Sequence, residues 1–264
     1  MSTASATREH WSPPRKRARA DVNDALAIQM SPLSLRYKAR NLMIEAPKVR
    51  RSNRMVRLLN VVVASVGIVL TAPLMLVIGL IIKLTSKGPV IYTQRRVGLD
   101  RRRESQPDQV NARRASDFGG RLFTMYKFRT MRPAKPGAKQ VWASQDDPRI
   151  TFIGKILRAT RLDELPQFFN VLRGDMNIVG PRPEQPEIFQ ELGEELGRQY
   201  RRRQRVLPGI TGLAQVKQGY DTDLDGVRRK VALDLEYIRE RSPSSDLSIM
   251  AKTVPVMVFR KVWM

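Results

Sequence analysis

One uncharged stretch limits what this chain can be. From Leu58 to Ile82 it reads LLNVVVASVGIVLTAPLMLVIGLII, and the first charge after it is Lys83. As a straight helix at ~1.5 Å per residue the run is about 37 Å long, enough to cross the ~30 Å hydrocarbon core of a bilayer. A buried core helix is the soluble alternative, but so long an uncharged run is rare in a soluble domain. A polar leader precedes it and no small-residue cleavage pattern follows, which excludes a signal peptide.

The flanks bear on topology. Lys48, Arg50, Arg51, Arg54 and Arg57 lie upstream; Lys83, Lys87, Arg95 and Arg96 lie downstream. The positive-inside rule places both flanks on the cytoplasmic side. Pro73, near the middle, removes a backbone donor and favours a kink. Two arms of about twelve residues each reach ~18 Å, roughly one leaflet. A re-entrant helical hairpin kinked at Pro73 meets both conditions, and a kinked spanning helix is the alternative.

The whole chain carries 48 Lys+Arg against 25 Asp+Glu, a formal charge of +23. That excess calls for a polyanionic partner: nucleic acid, an anionic lipid membrane, or phosphate-bearing substrates. There is no cysteine, and the only histidine is His10, in the polar leader. Disulfides, thiolate chemistry, a His-based metal site and a Ser-His-Asp triad are therefore set aside, leaving carboxylate, hydroxyl or lysine for catalysis.

Four regions follow. Residues 1–47 form a basic leader with Arg15-Lys16-Arg17-Ala18-Arg19, read as a disordered cationic tail that can also touch anionic headgroups. It lacks the aromatic and basic alternation that stacks bases, so no nucleic-acid partner is expected. Residues 48–87 form the membrane-inserted element. Residues 88–246 form the catalytic domain, with a polar loop insertion at about 99–120 and another loop over 133–145. Residues 247–264 are amphipathic, suited either to a membrane interface or to packing on the domain.

Within the domain, Val90–Gln94 and Leu122–Met131 read as strands, the second carrying Lys127 and Arg129. Helical signals run from Asp147 to Gly174, then come the short apolar Asn177–Val179, a charged helix over about 184–204, loop and strand over 206–216, and an amphipathic helix over 224–240. The fold class expected is α+β, mostly helical.

The chemical centre is Thr160 to Gly174, TRLDELPQFFNVLRG. Asp163 reads as a helix N-cap, Pro166 as a first-turn residue and Gly174 as a C-terminal stop. An acidic cap alone implies no chemistry, but here Arg158 and Arg161 precede the Asp163-Glu164 pair, Arg173 follows, and Arg149 and Arg182 lie in neighbouring segments. Cations and a helix N-terminus would hold the carboxylate ionised and outward, as attack on phosphorus requires. Arginines match phosphate oxygens, and adjacent carboxylates suit Mg2+ bridging to a diphosphate.

Several blocks resemble the bacterial sugar transferase family, the monotopic phosphoglycosyl transferases: SKGPVIYTQRRVG (86–98), YKFRTM (126–131), DPRIT (147–151), LDELPQ (162–167), DMNIVGPRPE (175–184) and PGITGLAQV (208–216). The resemblance covers about residues 54–255. It implies a membrane-docked enzyme in which Asp163 attacks the β-phosphate of a UDP-sugar, releases UMP and holds the sugar phosphate covalently until polyprenyl (undecaprenyl) phosphate takes it. It further implies Mg2+ at Asp163 and Glu164, with Glu164 in metal or proton handling. Lys127, Arg129, Arg149, Arg158, Arg161, Arg182 and Gln215 become the expected phosphate or substrate contacts, and Pro73 the membrane-helix break. The implied location is the bacterial inner membrane, with the domain facing the cytoplasm and starting exopolysaccharide or related glycan assembly. The competing reading is a basic nucleic-acid- or membrane-binding protein without catalysis.

This chain departs from the family pattern at Asn60, where an acid is usual, at Ala72 before Pro73, where serine is common, and in the 101–120 insertion. With no four-helix membrane domain ahead of these blocks, the shorter architecture of the family is expected.

Overall fold

The computed structural model describes residues 54–100, 120–132, 147–218 and 224–259. The basic leader, most of the 99–120 insertion, the 133–145 loop and the end of the C-terminal segment lie outside them.

The apolar run forms α1 (Arg54–Thr85), the only described helix long and apolar enough to cross a membrane. Pro73 leaves the carbonyl one turn back without its helical donor, yet α1 continues through it as a single element of 32 residues. Val56, Asn60 and Ala64 are buried toward one end and Ile78 and Ile82 toward the other, with no buried residue between Ala64 and Ile78. The opposite stripe, including Leu58, Val62, Val66, Val69, Leu76 and Leu80, is exposed and, apart from Ser65, apolar between Leu58 and Leu80. A soluble protein rarely leaves so much contiguous apolar surface in water.

Two small sheets follow. β1 (Ile91–Val97) and β2 (Leu122–Phe128) pair antiparallel, Ile91 opposite Phe128 and Val97 opposite Leu122. β3 (Asn177–Val179) and β4 (Gly209–Thr211) pair parallel. That pair depends on glycine: a Cβ on Gly209 would lie 2.1 Å from the Gly180 nitrogen.

The remaining helices are α2 (Phe152–Thr160), α3 (Gln167–Arg173), α4 (Pro186–Leu196), α5 (Arg198–Arg201), α6 (Leu213–Lys217), α7 (Leu224–Glu240) and α8 (Pro243–Phe259). The described residues are thus α+β and mostly helical. One core cluster gathers Ala64, Val171, Met176, Val179, Tyr237 and Ile249. A second joins Ile78 and Ile82 of α1 to Phe128 and Leu157. α8 packs on the domain through Ile249 and leaves Leu247 and Val254 exposed.

Three boundaries differ from expectation. β2 stops at Phe128 rather than Met131: the Arg129 amide still reaches the Val90 carbonyl at 2.9 Å, but Val90 lies ahead of β1, and Met131 bridges to Ile150 instead. The charged 184–204 segment is divided at Gly197, which takes φ 64° and ends α4. Asp163 is not a helix N-cap. Pro166 has no N–H to continue an α-helical ladder, so Leu162–Glu164 form a 3-10 turn and α3 begins only at Gln167.

Candidate active site

The 3-10 turn that carries the acidic pair is fixed from both sides. Before it, α2 starts on Thr151, whose hydroxyl accepts from the Gly154 amide at 3.0 Å, and ends on Arg161. Arg161 adopts φ 58°, the one non-glycine residue with positive φ among those described. This left-handed residue costs roughly 1 kcal/mol and reverses the chain sharply into Leu162–Glu164. After the turn, α3 is tied to the free edge of β2 by fully buried Asn170. Its Oδ1 accepts from the Tyr126 amide at 3.0 Å, and its Nδ2 donates to the Thr124 carbonyl at 2.7 Å. The amide side chain thus does for β2 what a third strand would do. Lys127, next along that strand, is brought against the turn.

Asp163 and Glu164 are both buried, each 7 % exposed. One oxygen of Glu164, Oε1, accepts from Lys127 Nζ at 2.9 Å and from Arg182 Nη2 at 2.8 Å, with Arg161 Nη1 at 3.8 Å. Asp163 Oδ2 lies 4.0 Å from Lys127 Nζ, and its Oδ1 is buried without a hydrogen-bond partner.

The neighbours separate the two carboxyls electrostatically. Burial drives Glu164 upward, but Arg182 and Lys127 outweigh it and hold the group well below the usual carboxylate range. Burial pushes the Asp163 carboxyl up, Lys127 opposes this only in part, and the charge on Glu164 adds to the rise. Sequence reasoning expected an ionised, outward-pointing Asp163; the protein's own groups leave it buried and inclined towards protonation. Glu164 takes the cations, and Asp163 keeps an unclaimed oxygen.

The other expected contacts divide. Lys127, Arg161 and Arg182 converge on the pair. Arg149 lies apart, fastened to Asp147 through Nε at 2.9 Å and Nη2 at 2.6 Å, and this hydrogen bonding holds the Asp147 carboxyl at about 2. Arg158 adds to the field on Asp147 and has one buried guanidinium nitrogen without a partner. Arg129 is elsewhere: it donates to the Lys87 carbonyl at 2.9 Å and the Ser86 carbonyl at 2.8 Å, closing the C-terminal end of α1. Gln215 donates to the Ile210 carbonyl at 3.0 Å and packs against Gly212. Pro73 lies on the exposed side of α1.

Residues outside the sequence-derived set complete the surroundings. Arg96, Gln167, Arg182, Met125 and Pro183 line a small pocket. Behind Arg182, buried Arg203 donates to its carbonyl at 3.2 Å and to Asp234 at 2.7 Å. Glu184 accepts from Lys230 at 3.0 Å. Within the Arg-rich stretch around 201–205, nothing in the sequence marks Arg203 as the buried member. Its partner Asp234 is 31 residues away, on α7.

A geometry of two carboxylates among three cations is suited to phosphate esters. No group of three or more His, Cys, Asp or Glu gathers among the described residues, so a metal here would draw its other ligands from substrate and water.

Comparison with known proteins agrees with this chemistry. The sequence profile described as bacterial sugar transferase matches residues 51–260. A UDP-N-acetylgalactosamine-undecaprenyl-phosphate N-acetylgalactosaminephosphotransferase of Aeromonas hydrophila is 40% identical over 196 residues, 74% of this chain and 42% of that protein. A UDP-glucose:undecaprenyl-phosphate glucose-1-phosphate transferase of Klebsiella pneumoniae is 40% identical over 200 residues, 75% of this chain and 39% of that protein. A protein of the same description from Caulobacter vibrioides is 38% identical over 204 residues, 76% of this chain and 69% of that protein. The chain spans about two fifths of the length of the first two.

Proposed function

The chain belongs to the bacterial sugar transferase family, and from that premise we propose that it transfers a sugar 1-phosphate from a UDP-sugar to polyprenyl (undecaprenyl) phosphate. The observation that carries this reading is the split carboxyl pair, with Glu164 neutralised by Lys127 and Arg182 while Asp163 Oδ1 is unpartnered.

In the proposed reaction Asp163 Oδ1 attacks the β-phosphorus of the donor. A P–O bond forms to the carboxylate, the bond from phosphorus to the bridging diphosphate oxygen breaks, and UMP leaves with that electron pair. A phosphate oxygen of the lipid then attacks the same phosphorus, the aspartyl–phosphorus bond breaks, and the carboxylate is restored. Atoms and charge balance with no oxidant or reductant. Lys127, 4.0 Å from Asp163, stabilises the ionised nucleophile, and Arg182 offers a fork to the phosphate oxygens.

Mg2+ is part of the proposal. The pair fits it, because Mg2+ binds through one or two carboxylates plus substrate phosphates and water. Asp163 and Glu164 would hold it, and it would supply positive charge for the diphosphate and for the nucleophile that burial opposes.

The same reading makes α1 a re-entrant anchor in the inner membrane, with the domain on the cytoplasmic face and its cationic flanks against anionic lipid. Both ends of α1 bear on one domain: Arg57 donates to the Val171 and Leu172 carbonyls, while Ile78 and Ile82 pack on Phe128 and Leu157. A perpendicular spanning helix would carry one end to the far side, away from those partners. Cysteines introduced at positions 45 and 100 are expected to label from the same side; labelling from opposite sides rejects the hairpin.

The catalytic reading is tested by UMP release from UDP-sugar plus polyprenyl phosphate, over a panel of UDP-sugars. Asp163→Asn is expected to abolish release while keeping the fold. Undiminished turnover in that variant rejects the nucleophile.

A further inference from the structure

We propose that Arg96 is a second phosphate-binding arginine of the donor site, gripping with Arg182 the phosphate that leaves as part of the nucleoside monophosphate. The inference rests on the transferase reading above, and it concerns a residue that enters that reading only as a basic flank of α1.

Arg96 lies near the end of β1, where strand alternation sets its side chain beside that of Gln94. Its guanidinium is held at two points by neutral acceptors. Nη2 donates to Gln94 Oε1 at 2.6 Å, and Nη1 donates to the Pro183 carbonyl at 3.2 Å. Nε is buried and has no partner. No carboxylate among the described residues forms an ion pair with it, although neighbouring cations have one: buried Arg203 has Asp234, half-buried Lys230 has Glu184 and half-buried Lys127 has Glu164.

Instead, Arg96 shares the small pocket with another cation, Arg182. Burial and then the field of Arg182 lower the Arg96 guanidinium to about 10, a rare displacement for a group that normally stays protonated. Glu184 and Glu164 offset part of this through space, and Arg182 is paired with Glu164, but no carboxylate touches Arg96, so an anion entering the pocket would relieve the remaining cost of two guanidiniums in a partly dry site. Gln167, 2 % exposed, adds a neutral amide to the same wall.

The position identifies which anion. Arg182 lines this pocket and also donates to Glu164 at 2.8 Å, so it links the pocket to the catalytic turn. The two phosphorus atoms of a diphosphate share one bridging oxygen. A donor whose β-phosphate meets Asp163 therefore puts its α-phosphate about one residue-width away, within reach of a second arginine. Fastening Pro183 alone would need only one donor, whereas a planar fork held in plane by Gln94 is suited to two phosphate oxygens.

The shared chemistry is a phosphate, from the nucleotide or from the lipid, and the experiment separates these. Membrane-embedded full-length protein and its Arg96→Gln variant are assayed for KM of UDP-sugar, KM of polyprenyl phosphate, and inhibition by UMP and by uridine. Arg96→Gln is expected to raise the donor KM and the UMP inhibition constant by about tenfold or more, with the lipid KM and uridine inhibition within about twofold. An unchanged UMP constant overturns the inference, and so does a change confined to the lipid KM, which would assign the arginine to the acceptor. If Arg96→Gln does not fold, Arg96→Lys and Gln94→Ala decide. Each is expected to weaken UMP about threefold without moving uridine, since each loses the held fork but not all of the charge; no change in either overturns the proposal. Failure of the underlying reading looks different, because the unaltered protein would then release no UMP from any UDP-sugar.

Discussion

Replacing Glu164 by Gln tests the electrostatic division of the acidic pair, because it predicts two effects of opposite sense. Glu164 Oε1 accepts two charge-assisted hydrogen bonds in a buried position, from Lys127 at 2.9 Å and Arg182 at 2.8 Å. Glutamine keeps an acceptor there but loses the charge, which roughly halves each bond, a loss of about 1.5–3 kcal/mol for the two. Two cations are then left facing a neutral group, while relief of the like charge on Asp163 returns part of the loss. The net expectation is about 2 kcal/mol of destabilisation near pH 7, a fall in Tm of about 4–8 °C for a domain of this size.

The pH dependence carries a sign. The folded-state pKa of Glu164 is depressed, so its stabilisation is complete above the unfolded value of ~4.3 and is lost as pH falls below it. The stability gap between the two proteins should therefore close on acidification below about pH 4. Meanwhile Asp163, freed from a neighbouring negative charge, should ionise at lower pH, moving the acid limb of residual UMP release downward. Thermal unfolding by circular dichroism follows the first effect. Initial rates between about pH 5 and 8, or 13C shifts of labelled aspartate referenced to Asp163→Asn, follow the second. A stability gap that does not change with pH, or an acid limb that moves up, would rule out this electrostatic division of the pair.

Lys127→Met should act on Asp163 in the opposite direction: with the cation 4.0 Å away removed, the acid limb moves to higher pH and part of the lost rate returns as pH is raised. A pH-independent loss would assign Lys127 to substrate contact alone. Arg129→Met removes two charge-assisted bonds to the Ser86 and Lys87 carbonyls from a residue 6 % exposed, and should cost about 2–4 kcal/mol in thermal unfolding. The donor KM should stay within about twofold, because the side chain faces the end of α1 rather than the carboxyl pair; a rise of about tenfold without loss of stability would return Arg129 to the phosphate site.

Much of this was legible because the strongest signals are local. The α1 run, its basic flanks, and the Asp-Glu pair among arginines need no tertiary information. The helix ending at Glu240 follows from amphipathic spacing in the same way. What was illegible depended on pairs distant in sequence. Lys127 and Arg129 sit two apart, so strand alternation puts them on one face; the strand ends between them, and they serve different ends of the molecule. Asp163 read as a cap because the sequence shows Pro166 but not the reversal at Arg161 that turns the pair inward. Arg96 read as an interfacial charge because its neighbour in space, Arg182, lies on a loop 86 residues later. Asn170 carries no charge and sits in an apolar helix, yet it sets the spacing between Lys127 and the acidic turn.

The most direct test of the central claim is capture of the covalent state. Membrane-embedded protein is mixed with a UDP-sugar bearing 32P in the β-phosphate, without lipid acceptor, then quenched and digested for mass analysis. Release of UMP up to about one equivalent and a sugar-phosphate adduct on the peptide containing Asp163 are expected. Adding polyprenyl phosphate should discharge the adduct, and Asp163→Asn should form none. Turnover to lipid product with no labelled protein, or with label on another residue, would contradict it.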